Sequence, residues 1–179
     1  YIYYLIGGYG PNWRNPKLSS AEIDSIKLEF IEKFKSAIVK QDTDAIEKAL
    51  DYPINHNMPI DKGMTALMIA ARDGNKDVVN LLLSKSTIDI NMGDPKNYTA
   101  LMFAAMNGHH LVVNLLLSNP NHTIEINKRE SKQNYTPLMT AAYYGHYDVV
   151  RLLLGDQRID PEVTSNEGHT TLMIAAHEG

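Results

Sequence analysis

Histidine is the first residue type to test for chemistry, because imidazole can ligate a metal or move a proton near neutral pH. The chain has seven: His56, His109, His110, His122, His146, His169 and His177. No two are spaced His-x-x-x-His, and none lies in a His-Glu-x-x-His run, so the helical zinc pattern is missing. Zero cysteines remove disulfides, cysteine-held zinc and thiol catalysis. Gly7-Gly8-Tyr9-Gly10 is glycine-rich, but no Lys-Ser/Thr pair and no helix signal follows it, as a phosphate-cradling loop requires. No serine or aspartate stands in a nucleophile elbow. The reading is therefore no enzyme, no cofactor and no metal. Tyrosine and methionine are the remaining types of interest, because both are enriched where proteins meet.

The elements that position these residues repeat. Thr65–Leu83, Thr99–Leu117 and Thr136–Leu154 share one pattern, and Thr170–Gly179 begins it again. The threonines are separated by 34, 37 and 34 positions. A period of this size marks a stacked array of supersecondary units. The extra residues of the middle interval are expected in the loop around Asn119–Thr123, whose Asn and Pro suit a turn.

Within a unit the local chemistry is legible. Each threonine stands where a helix N-cap is needed, offering its oxygen to orphan N–H groups. Pro137 follows one of them at the first helical position, where its missing N–H does no harm. Leu67, Ala70 and Ala71 share one helical face. Gly74, Gly108 and Gly145 end the first helix, where a left-handed residue is wanted. A second helix then buries Val78, Val79, Leu82 and Leu83. Helices of about ten residues are unstable alone in water, so each unit must pack on its neighbours. Two positions before the threonines stand Gly63, Asn97, Asn134 and Gly168, types that tolerate positive φ, so a tight hairpin tip is expected there.

Thr-Pro-Leu-Met-x-Ala-Ala-x-x-Gly-His-x-x-Val-Val-x-x-Leu-Leu resembles the ankyrin repeat, whose signature is Thr-Pro-Leu-His-x-Ala. The resemblance covers roughly residues 32–179 and implies an all-α solenoid of stacked helix-turn-helix units joined by short hairpins. One departure is consistent: the family's His after Leu is Met68, Met102, Met139 and Met173 here. Apolar packing by a flexible thioether is expected to replace the usual polar link. His109 and His146 fall in the Gly-His slot, where the family places a structural residue.

The resemblance also implies a protein-binding module whose hairpin tips and first helices form a concave groove. The matching positions are Lys62, Met64, Arg72 and Asp73, then Lys96, Tyr98, Met106 and Asn107, then Gln133, Tyr135, Tyr143 and Tyr144, and finally His169 and His177. The alternative is a substrate-recruiting arm of a larger enzyme or host-directed effector. Asn91, with Leu83 eight residues before it and Asp89-Ile90 adjacent, is similar to sites where an asparaginyl hydroxylase modifies ankyrin repeats in animal cells. The plainer role for Asn91 is to bond its own turn backbone.

The flanks are less regular. Tyr1–Pro16 has no basic n-region and only a short apolar run, so it reads as neither a signal peptide nor a membrane span. A strand with a Gly/Pro loop suits it. The expected division is residues 1–17 as an extension or remnant of an upstream domain, 18–61 as a helix and degenerate capping repeat, and 62–179 as about three full repeats plus a truncated fourth. Leu18–Leu50 reads as helical, and Lys40-Gln-Asp aligns with Asp73-Gly-Asn. Leu172, Met173 and Ile174 are expected to lack a covering second helix, as in a piece of a longer protein.

A net charge of −4 and no Lys/Arg cluster argue against a nucleic-acid surface. No membrane insertion is expected. Asn97-Tyr-Thr, Asn121-His-Thr and Asn134-Tyr-Thr match the glycosylation pattern, but two of these asparagines sit at turns and their threonines cap helices, so a structural use accounts for them. Richness in Asn, Ile, Lys and Tyr suits an A/T-rich genome, and an intracellular site of action, in its own or a host cell, is the expectation. The partner protein and the oligomeric state are not specified by the sequence.

Overall fold

The computed structural model describes residues 19–178 except Pro53, so the expected extension at 1–17 and its glycine run lie outside the described residues. Nine helices and no strand occur among the described residues: α1 Ser20–Lys40, α2 Thr43–Ala49, α3 Ala66–Arg72, α4 Lys76–Leu83, α5 Ala100–Met106, α6 His110–Ser118, α7 Pro137–Tyr143, α8 Tyr147–Leu154 and α9 Thr171–Glu178. The repeated helices are seven to nine residues long, slightly shorter than expected.

Helices α3, α5, α7 and α9 stack on one another as one row, and α2, α4, α6 and α8 as a second. α1 packs against both α2 and α3. At 21 residues it is far longer than the first-row helices, and its C-terminal half supplies the buried Phe30, Phe34, Ala37 and Ile38. The core runs continuously between the rows, with Ile46, Val79, Leu82, Val113, Leu116, Val149 and Leu153 fully excluded from water. Burying one such leucine stabilises the stack by about 2–3 kcal/mol.

The caps form at the expected places. Thr65, Thr99, Thr136 and Thr170 each accept a backbone N–H from the methionine three residues on, at 3.3–3.4 Å. Met68, Met102 and Met139 are buried, as thioether packing requires. In the first full repeat the sulfur also takes a polar role, accepting the Thr65 N–H at 3.5 Å. Gly63, Asn97, Asn134 and Gly168 all adopt positive φ, between 58° and 82°.

The second-row helices are pinned by a joint between repeats. Nε2 of His109 lies 2.9 Å from the Arg72 carbonyl, and Nε2 of His146 lies 2.8 Å from that of Met106. Their rings occupy the space beside Gly74 and Gly108, where a Cβ would stand 2.7 Å away. The first joint is built differently. The Leu18–Leu50 stretch breaks at Gln41, which takes the glycine slot with φ 54°. A side chain there leaves no room for an imidazole, and the facing residue is the shorter Asn75, whose Nδ2 donates to Gln41 Oε1 at 3.0 Å.

The three extra residues of the middle interval do not all fall at 119–123. Hairpins close from Asp94 to Tyr98 and from Ser165 to His169, but the third runs from Glu130 to Tyr135, one residue longer. One insertion therefore lies in this hairpin tip, leaving two for the loop near Asn119.

At the far end Ile174 is buried against the preceding repeat, where it packs with Met139 and Ala142. Leu172 and Met173 are exposed as expected. An apolar groove of about 730 Å³ lies beside α9, with Tyr147, Val150, Leu154 and Leu172 in its walls. No described helix is long and apolar enough to cross a membrane.

Candidate functional site

The second, third and fourth hairpins each carry a side-chain clamp, and the clamp sets where the next aromatic residue points. Oδ1 of Asp94 accepts the N–H groups of Lys96 and Tyr98 at 2.9 and 2.8 Å. Oγ of Ser165 accepts those of Glu167 and His169 at 3.3 and 3.2 Å. In the longer third hairpin a glutamate does this work, its extra methylene reaching across the inserted residue. Glu130 is fully buried, and its carboxylate accepts N–H groups from Lys132, Gln133 and Tyr135 at 2.7, 2.6 and 3.2 Å. Such charge-assisted bonds are stronger than neutral ones. Asp94 and Ser165, turn-forming types four residues ahead of Tyr98 and His169, were the signal that would have found two of these clamps.

The clamps place a run of aromatic residues along the first-row face. The Tyr98 ring lies 5.8 Å from Phe103. Tyr135 lies 6.0 Å from Tyr143 at 62°, and Tyr143 lies 5.1 Å from Tyr144 at 83°. Tyr144 stacks over His146 at 6.5 Å. Burial first, then the nearby Glu130, Tyr144 and Asp94 charges, push the Tyr98 hydroxyl above its ordinary value. Tyr135 is raised likewise, by burial first and then by Glu167, Tyr143, Glu178 and Glu130.

The expected positions divide into three groups. Tyr135, Tyr143, His169 and His177 come together around an open pocket of about 540 Å³, whose base is the buried Ile174 and whose other walls are Glu167, Met173 and Glu178. Tyr98, Met106 and Tyr144 lie along the same face, half-buried or exposed, with Asn107 donating to the Phe103 carbonyl at 2.8 Å. Lys62, Lys96 and Gln133 are exposed hairpin-tip residues, and Arg72 and Asp73 form a bidentate pair at 2.7 and 3.2 Å that also engages Gln41. The Asp73 carboxylate raises the Arg72 pKa through this bond.

Met64 is a correction. The repeat register puts it among the groove positions, yet it is 6% exposed and belongs to the core. A thioether has no polar group that must reach water, and the Met64 sulfur instead lies 3.9 Å from Nη1 of Arg72. Phe103, Glu167, Met173 and Glu178 belong to the face and were missed.

Asn91 also differs from the plainer reading. Its side chain bonds the next repeat and not its own turn: Nδ2 donates to the Thr123 carbonyl at 2.7 Å, and Oδ1 accepts the Glu125 N–H at 2.8 Å. Asn57 and Asn127 make the same two-way bond to Thr87 and Asp89 and to Arg158 and Asp160. The turn asparagines are engaged too, Asn97 Nδ2 donating to the Arg129 carbonyl and Asn134 Nδ2 to Asn166 Oδ1. Among the described residues no three His, Asp or Glu side chains are arranged as metal ligands.

Two family models match the chain. One, described as ankyrin repeats (3 copies), covers residues 34–130, and the other, ankyrin repeats (many copies), covers residues 121–176. No curated protein matches it.

Proposed function

The chain belongs to the ankyrin-repeat family, and from that premise we propose that it binds a partner protein through the concave face formed by its hairpin tips and first-row helices. Ankyrin repeats are generally protein–protein interaction modules. The observation that carries the finer reading is the run from Tyr98 and Phe103 through Tyr144 and Tyr143 to Tyr135, with Tyr143 and Tyr144 42% and 49% exposed. Aromatic side chains left in water on one continuous face suit the centre of an interface, where they bury large area at small entropic cost. Residues 62–179 act on this reading as the binding array and 18–61 as its cap. The array performs no chemistry itself.

The test is capture of interaction partners by the intact chain and by a Tyr98→Ser/Tyr135→Ser/Tyr144→Ser variant. Partners held by the intact chain should be lost from the variant while its helical circular dichroism is unchanged. Capture that survives the triple change in a folded variant would move the site off this face.

A further inference from the structure

We propose that the pocket between the third and fourth repeats receives a cationic side chain, lysine or arginine, of the partner, held between the Tyr135 and Tyr143 rings and the Glu167 and Glu178 carboxylates. This rests on the concave-face reading above and adds the chemistry of what enters it.

The walls supply both attractions that an organic cation needs. The Tyr135 and Tyr143 rings both line the pocket, 6.0 Å apart at 62°, and Tyr144 backs Tyr143 edge-on at 5.1 Å. An exposed ring face attracts ammonium and guanidinium groups through its quadrupole. The carboxylates of Glu167 and Glu178 add full negative charge, and no Lys or Arg is among the lining residues described. The raised Tyr135 hydroxyl is consistent with that charge, since after burial Glu167 is the largest of the charges acting on it. His177 Nδ1 lies 3.0 Å from Glu178 Oε1 and His169 Nδ1 lies 3.5 Å from Glu167 Oε2, so each imidazole is tied to a carboxylate through one nitrogen. A volume of about 540 Å³ leaves room for the side chain and the adjoining partner backbone.

The opposite end of the same face has the reverse character. There Lys62 projects from the first tip, and Arg72 is already paired with Asp73. A cation is therefore directed to the Tyr135 end, and a partner with a basic residue would dock in one orientation.

The test titrates the full chain at pH 8, above the ordinary histidine range. The probes are Nα-acetyl-arginine methylamide and its lysine counterpart, with the norleucine and glutamate counterparts as neutral and anionic comparisons. Binding is read from the ring resonances of Tyr135 and Tyr143 by NMR. The cations should bind about tenfold more tightly than norleucine. Tyr143→Leu and Glu167→Gln/Glu178→Gln should each remove most of that preference while leaving the His109 ring resonances unmoved, which reports an intact stack. Norleucine binding as tightly as the cations, or glutamate binding best, overturns the proposal. Loss of partner capture in the triple-tyrosine variant without any cation preference would defeat this inference alone. Surviving capture with a cation preference would defeat the concave-face reading alone.

Discussion

The ring of His109 lies against Gly74 so closely that a Cβ on the glycine would stand 2.7 Å from the imidazole. The same relation joins His146 to Gly108, whereas Gly145 has nothing within 4 Å of the equivalent point. All three glycines have φ near +70°, so the crowded and open positions separate two penalties. Gly145→Ala should cost about 1–2 kcal/mol for the left-handed backbone alone. Gly74→Ala should cost more, because the His109 bond to Arg72 is displaced as well. Denaturant melts of the two variants check this, and equal losses would mean the ring does not depend on the glycine.

Glu130 holds the longest hairpin by three backbone bonds while fully buried. Glu130→Ala leaves those N–H groups without an acceptor and should cost about 3 kcal/mol. Glu130→Asp is one methylene short of spanning the inserted residue and should also destabilise. Both should broaden the Tyr135 ring resonances before the outer helices are affected. An aspartate variant as stable as the parent would remove the insertion argument.

These two sites show what the sequence made visible. Threonine caps, the positive-φ tips and the Gly-His slot were legible because each is decided within a few residues by local geometry. The Glu130 clamp was not, since counting between threonines totals an insertion without locating it. Only the backbone pairing of Glu130 with Tyr135, against Asp94 with Tyr98, shows the division. Of the candidate face, the tyrosine and histidine positions followed from repeat register, whereas Phe103 was missed. Met64 did not, because register places a side chain at the tip while its chemistry decides whether it turns inward. Glu167, Met173 and Glu178 were missed since the pocket is made by two repeats and is visible only when they are stacked.

Asn91 is the middle member of a ladder with Asn57 and Asn127. Asn91→Ala strips one donor and one acceptor from the interface between repeats and should cost about 1–3 kcal/mol. Hydroxylation of Asn91 by an asparaginyl hydroxylase is a proposal that requires both bonds to open. Incubation with the enzyme, followed by peptide mass mapping, should show a shift at Asn91 that grows in destabilised variants such as Gly74→Ala. A shift carried only by methionine-containing peptides sinks it.

His56 is buried with its Nε2 3.4 Å from the Ala49 carbonyl and its ring edge-on to Phe34 at 5.1 Å. Burial is the main cause of a pKa below the ordinary 6.5, with Lys85 acting the same way and the Ala49 bond and Asp51 opposing. The unfolded chain therefore binds a proton first as pH falls below about 6.5, and stability falls with it until the folded form also titrates. Melting temperatures at pH 7.5 and 5.5 should differ more for the parent than for His56→Gln. Identical differences would exclude His56 as the source.

The claim that a partner seats on the first-row face is tested most directly by photo-cross-linking from its two sides. Benzoylphenylalanine is placed at Tyr144, 49% exposed beside the first-row helices, or at Leu111, 56% exposed on α6 of the second row. Each variant is irradiated in complex with a captured partner, and the adducts are mapped by mass spectrometry. The account predicts cross-links from position 144 and none from 111; cross-links from 111 with none from 144 would contradict it.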